Sequence, residues 1–191
     1  EQTGTIQSLS LRVYGDRDDG NDTYIFTDEG FQDLTDKVVE DESGIDTINA
    51  AAVRFDAYID LYDGVIAANA VTYGIADWSI VENAFSGKGA DKLVGNASDN
   101  LLDAGAGNDV LQGGLGDDTV IGGTGSDTAV YEGNQGEYSI SWDASTETIT
   151  VVDTKTTNGD EGTDTLTGIE RIVFADSELS LSEQVGNNAP V

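Results

Sequence analysis

Cysteine and histidine are both absent from this 191-residue chain, and proline occurs once. Without cysteine no disulfide framework can staple the fold. Without cysteine and histidine together, zinc and haem lose their usual ligands, and a Ser-His-Asp triad cannot be assembled. Positive charge is nearly as scarce. Only 8 Lys and Arg stand against 37 Asp and Glu, for a formal net charge of −29. A surface this acidic repels phosphate, which argues against nucleic acid and anionic lipid as partners. No run approaches the ~20 apolar residues of a membrane-spanning helix, so no membrane insertion is expected. The single proline lies in Asn187-Asn188-Ala189-Pro190-Val191, and residues 186–191 read as a linker into a following domain, leaving 1–185 as one domain.

So many acids ordinarily mark a disordered, solvating segment. Here Leu, Ile, Val, Tyr and Phe recur between them at regular intervals, and a 38% hydrophobic content is lean but sufficient for a core. Compact folding would cost repulsion among the carboxylates unless bound cations offset it. Divalent cations are the simplest answer.

The regular intervals resolve into a repeat. From Ser86 to Val130 the chain divides into five nine-residue units, SGKGADKLV, GNASDNLLD, AGAGNDVLQ, GGLGDDTVI and GGTGSDTAV. Position six reads Asp91, Asn100, Asp109, Asp118, Asp127, and position eight reads Leu93, Leu102, Leu111, Val120, Ala129. Glycine recurs at positions two and four, as Gly87, Gly89, Gly105, Gly107, Gly114, Gly116, Gly123 and Gly125. Glycines permit tight turns with φ > 0 and let carbonyls point at an ion. The position-six aspartate offers the hard anionic oxygen that calcium takes, and the apolar residue two later starts an inward-facing strand. Each unit is therefore half a coil, and units two apart stack on one edge. Asp91 with Asp109, and Asp109 with Asp127, are expected to share ions. Asn100 with Asp118 forms a weaker third site, in which Asn100 either relies on Asp99 or binds poorly. Fainter echoes at Asp19-Gly20-Asn21-Asp22-Thr23 and Ser43-Gly44-Ile45-Asp46-Thr47 make Asp22 and Asp46 further candidates, against an ordinary Asx-turn entering a strand.

Five half-coils make only two and a half turns, and their ends need covering. Upstream, Tyr58 to Tyr62 alternates like a strand before Asp63-Gly64, and Ile75, Trp78, Ile80, Val81 and Phe85 form an apolar lead. Downstream, Tyr138, Ile140 and Trp142 alternate and are answered by Ile149 and Val151, a hairpin turning between Asp143 and Glu147. The expected fold is all-β, a parallel β-roll capped by flanking strands and an antiparallel hairpin.

The nonapeptides resemble the RTX repeats of proteins exported by type I secretion. Gly44-Ile45-Asp46-Thr47-Ile48, Ile59-Asp60-Leu61, Ile80-Val81-Glu82-Asn83-Ala84 and Leu93-Val94-Gly95-Asn96 are similar to the C-terminal β-roll domain of serralysin-type metalloproteases. Gly162-Thr163-Asp164-Thr165-Leu166, Gly168-Ile169-Glu170 and Phe174-Ala175-Asp176 look like the end of RTX modules in giant bacterial adhesins. The resemblance implies several calcium ions, secretion to the cell surface, and a monomeric module of a longer chain. The three-His zinc motif of serralysins is missing, so protease activity does not transfer.

Three functions stay open: an adhesin module for cell adhesion or biofilms that binds a peptide or protein on another surface; a structural, secretion-coupled roll; and an auxiliary domain of an exported enzyme. A structural roll needs only caps, yet residues 47–85 offer Arg54, Tyr58, Tyr62, Tyr73 and Trp78 as ligand contacts. The competing readings are a surface charge for Arg54 and a core or cap residue for Trp78. No acid–base pair can be told apart from metal ligands or solvated surface, so no catalytic residue is named and the chain is not expected to be an enzyme.

Overall fold

The computed structural model describes residues 10–14, 20–27, 38–39, 43–68, 71–77, 79–155, 157 and 159–181. Expectations for the linker 186–191 and for Trp78 lie outside the described residues.

The apolar residue of each repeat unit is what organises the described chain. Leu93, Leu102, Leu111, Val120 and Ala129 are each no more than 2% exposed, while their neighbours on the same three-residue strands, the buried Thr128 excepted, are exposed or half-buried. That alternation is the period of a strand with one covered face. Apart from the short parallel pair Ala106–Gly107 and Thr124–Gly125, the described strands fall into two stacks. In the first, Thr23–Thr27, Thr47–Ala52, Asn83–Phe85, Leu101–Asp103, Thr119–Ile121 and Thr163–Thr167 run parallel. In the second, Ala57–Asp60, Lys92–Val94, Val110–Gln112, Thr128–Val130 and Arg171–Val173 run parallel. From Asn83 to Val130 the chain alternates between stacks at every turn, so each strand serves as the crossover for the next parallel pair of the opposite sheet.

Register then builds two apolar columns. Tyr24, Ile48, Ala84, Leu102, Val120 and Leu166 are successive partners in one sheet. Ile59, Leu93, Leu111, Ala129 and Ile172 are successive partners in the other. All eleven are within 2% of full burial. The roll is therefore longer than the five units that announce it. Residues on both sides of the repeats, expected to act as caps, continue the same columns without the full glycine pattern. Closure comes further out. The hairpin Tyr138–Asp143 and Thr148–Asp153 forms as expected and lies antiparallel on Thr163–Thr167. Val65–Ala68 and Val71–Ile75 close the other sheet, also antiparallel. Within the expected apolar lead, Val81 is buried but Ile80 is 60% exposed.

The glycines divide into two mechanisms. Gly89, Gly105, Gly114, Gly116, Gly123 and Gly125 adopt φ between 85° and 144°, a region costly for other residues. Gly107 does not; there a Cβ would fall on the Gly89 carbonyl oxygen and lie 2.7 Å from Asp109 Oδ1. Its glycine is required by the closeness of stacked coils, not by its dihedral angle. Gly107→Val is thus expected to cost at least about 2 kcal/mol in thermal unfolding, and Gly136→Ala, where nothing lies within 4 Å, no more than about 0.5 kcal/mol. Equal melting of the two variants would contradict the close-approach argument.

Candidate metal centre

The same stacking that aligns the apolar columns aligns position six. On one edge the Ala57 N–H donates to Asp91 Oδ1 at 2.7 Å, Asp91 N–H to Asp109 Oδ1 at 2.8 Å, and Asp109 N–H to Asp127 Oδ1 at 2.8 Å. Asp127 N–H ends the series on Glu170 Oε2 at 2.7 Å. On the other edge Asp22 N–H donates to Asp46 Oδ1 at 2.8 Å and Asp46 N–H to Glu82 Oε2 at 2.7 Å. Further along, Asn100 N–H donates to Asp118 Oδ1 at 2.8 Å and Asp118 N–H to Asp164 Oδ1 at 2.9 Å. One carboxylate oxygen per coil thus satisfies a turn amide of the preceding coil on its edge, a charge-assisted bond in a dry setting.

The second oxygen has no such use. Oδ2 of Asp91, Asp109, Asp118 and Asp127 is buried without a hydrogen-bond partner, and the four residues are at most 2% exposed. An ionised carboxylate held this way is strongly disfavoured unless something positive meets it. Burial accordingly raises all four acids. Asp109 is pushed up to about 6 and Asp118 to about 7, with neighbouring carboxylates adding to both. Asp91 and Asp127 shift in the same direction, again mainly through burial. Asp164 is raised to about 7 by burial, although its Oδ2 accepts the Tyr131 hydroxyl at 2.8 Å.

This donor set fits calcium. The orphaned oxygens are hard and anionic, and the sequence has no histidine or cysteine to offer nitrogen or sulfur in their place. Asp91, Asp109, Asp118 and Asp127 would hold the ion through Oδ2, with turn carbonyls as the remaining oxygen donors. Cβ atoms at Gly105, Gly107, Gly114, Gly123 and Gly125 would each crowd a main-chain carbonyl of the coil below, and one at Gly116 would stand 3.0 Å from Ser98 O. Gly87 is likewise pressed against carbonyls, those of Ala50, Ala51 and Val53, and the turn of Gly89 against Phe55 and Asp56. Bound calcium would supply the positive charge that the paired rows of carboxylates lack.

Asp99 stands elsewhere. It is exposed, and its Oδ1 accepts the Asp117 N–H at 2.9 Å. It belongs to an outer ladder of position-five residues, in which Asp117 accepts Thr163 N–H and Asn108 accepts Ser126 N–H. Reliance of Asn100 on Asp99 is therefore not what the structure arranges. Asp22 and Asp46, by contrast, take places in the buried column, at 2% and 0% exposure. Sequence reasoning overlooked Asp164, Glu170 and Glu82 as column members. Gly162-Thr163-Asp164-Thr165-Leu166 and Gly168-Ile169-Glu170-Arg171-Ile172 repeat the unit's spacing and were legible; Glu82 follows no such glycine.

The proposed ligand contacts separate. Tyr58 and Tyr62 line one cleft of about 460 Å³, with Asp60, Asp63, Lys92, Leu115 and the repeat residues Gly95, Asn96 and Gly114 among its walls. The Tyr58 hydroxyl donates to Asp60, which raises its pKa to about 12, and the Lys92 ammonium lies 5.1 Å from its ring centroid. Tyr62 is 76% exposed. Arg54 is exposed but does not line this cleft. Tyr73 is a correction: at 2% exposure it packs edge-on against Phe26 in the core and is closed to a ligand.

The raised acids set the sign of the pH response. Each titrates higher in the fold than the ~3.9 of an unfolded chain, so the stability it contributes is present below about pH 4. That contribution is lost as pH rises through about 6 for Asp109 and about 7 for Asp118 and Asp164. In chelator, the melting temperature is expected to rise as pH falls from 8 to 5. In calcium on the order of millimolar the roll should be most stable near neutral pH, with magnesium a poor substitute. Circular-dichroism melts decide; a chelated protein equally stable at both pH values would refute the assignment.

The family model of the RTX calcium-binding nonapeptide repeat, in four copies, matches residues 82–111 and 94–129. No curated protein matches the chain. The matched residues include the turns whose aspartates carry the orphaned oxygens. The chain carries an RTX calcium-binding module with a β-roll fold.

Proposed function

We propose that this module binds a peptide or protein ligand on a partner cell surface, in a calcium-dependent way, as part of an exported bacterial adhesin, and catalyses no reaction itself. The observation that carries the reading is the position of the aromatic cleft. Tyr58 directly follows Ala57, whose N–H is held by Asp91 Oδ1, and Lys92 directly follows Asp91. The cleft wall and the first aspartate of the repeat ladder are therefore one piece of structure. An ion that fixes Asp91 would fix Tyr58, coupling ligand binding to calcium through the Ala57 N–H bond to Asp91 Oδ1 and the pairing of the Tyr58 strand with Lys92–Val94.

Of the four large hydrophobic side chains exposed among the described residues, Tyr62 and Leu115 both line this cleft. Exposed aromatic surface beside polar groups is the usual composition of a recognition site. Asp60, Asp63, Glu132 and Glu161 also line it, so an approaching anion meets repulsion. A ligand with a free C-terminal carboxylate would need bound calcium or Lys92 to reverse the local sign.

Surface-captured peptides that bind in calcium are the material for the test. Tyr62→Ala is expected to weaken binding at least about tenfold, with the melting temperature in calcium unchanged. Comparing one peptide as free acid and as C-terminal amide, in calcium and in chelator, separates the carboxylate from the rest of the ligand. Binding that persists in Tyr62→Ala places the ligand elsewhere; absence of any calcium-dependent binder favours a purely structural roll.

A further inference from the structure

One rung of the ladder is built differently. Asn100 occupies position six, 3% exposed, between Glu82 and Asp118. Its main chain behaves like that of any aspartate in the column: its N–H donates to Asp118 Oδ1 at 2.8 Å and its carbonyl accepts Thr119 N–H at 2.8 Å. Its side chain does not. Oδ1 accepts the Asn96 N–H at 2.7 Å, while Nδ2 donates to the Glu82 carbonyl at 2.8 Å and to Asn96 Oδ1 at 3.1 Å. Both amide hydrogens and the amide oxygen are thus engaged. The reversed orientation would set oxygen against the Glu82 carbonyl and N–H against the Asn96 N–H, so these partners determine which way the amide points.

A second departure accompanies the first. The three following units carry Gly105, Gly114 and Gly123 at position two, with φ of 85°, 110° and 94°. This unit carries Asn96, which is not at positive φ. Asn96 also anchors the turn internally, donating from Nδ2 to the Val81 carbonyl at 2.8 Å and accepting the Ser98 N–H at 2.9 Å. Gly87 of the first unit is not at positive φ either, so what sets this turn apart is the pair of bonds made by the Asn96 side chain.

Calcium takes oxygen donors, and an amide nitrogen that points hydrogens inward cannot ligate it. We infer that Asn100, with Asn96, closes its turn without a cation, Nδ2 donating one hydrogen to the Glu82 carbonyl and the other to Asn96 Oδ1 in place of an ion. The inference rests on the calcium-binding reading of the neighbouring aspartates. On this edge the row of cation-requiring oxygens is interrupted at Asn100, and the roll contains one rung whose closure is indifferent to calcium.

Counting ions by native mass spectrometry in the whole chain tests this, with the parent, Asn100→Asp and Asn100→Leu. Asn100→Asp is expected to bind one calcium more than the parent and to melt at least about 5 °C lower in chelator. Asn100→Leu should keep the parent's ion count yet melt lower in both calcium and chelator, because it leaves the Glu82 carbonyl and Asn96 N–H unpaired. A count that falls in Asn100→Leu shows that Asn100 held an ion and overturns the inference, as does an unchanged count in Asn100→Asp. Should Asn100→Asp fail to fold even in calcium, the Asn100→Leu count decides. A parent that binds no calcium overturns both this inference and the metal centre beneath it.

Discussion

Everything in this structure depends on a carboxylate whose two oxygens are asked to do different things. One accepts a main-chain N–H from the preceding coil on its edge and so fixes the stack, at 2.8 Å from Asp91 N to Asp109 and again from Asp109 N to Asp127. The other is buried with no hydrogen bond to offset its charge. The first oxygen makes the fold possible, and the second makes it incomplete. A net charge of −29 spread over solvated surface would only weaken folding, but charge aligned in two buried columns gives a cation somewhere specific to act.

The two edges are not equivalent. One carries Asp91, Asp109 and Asp127 in succession and ends on Ala57 at one side and Glu170 at the other. The other is broken at Asn100 and ends on Asp164, whose second oxygen takes the Tyr131 hydroxyl. Tyr131 is in turn clamped by Tyr138 and Phe174, with ring centroids 5.1 Å and 5.7 Å away. The aromatic cluster that covers the end of the roll therefore also supplies the hydroxyl that closes its carboxylate column. At the opposite end the uninterrupted edge runs into Ala57, next to Tyr58, while the repeat residues that line the cleft, Gly95, Asn96, Ala97, Gly114 and Leu115, belong to the turns of the broken edge.

Much of this was legible because the repeat imposes local rules. A tight turn needs glycine, an ion needs an acid, and a three-residue strand between two turns aims its central side chain at the core, so the nine-residue phase survives in the letters. Asp164 and Glu170 obey those rules and could have been assigned with the rest. Glu82 and Ala57 do not, since neither follows a turn glycine; they are held in place by strand pairing with neighbours that do. Tyr73 and Tyr62 show the limit most directly. Both are tyrosines in one acidic, aromatic-rich stretch, yet one is sealed against Phe26 and the other stands in solvent.

Residue pattern by itself determined the turn chemistry, the class of cation and the half-coil as the unit of the fold, because each of these is settled within nine residues. Only the tertiary structure decided how far the roll extends, which aspartate oxygens are left without a partner, and that Asn100 is satisfied where its neighbours are not. Those outcomes depend on atoms brought together from coils 18 residues apart, as Asp91 and Asp109 are, or 46 apart, as Asp118 and Asp164 are. A side chain's hydrogen-bond balance is a property of the stack, and no single coil contains it.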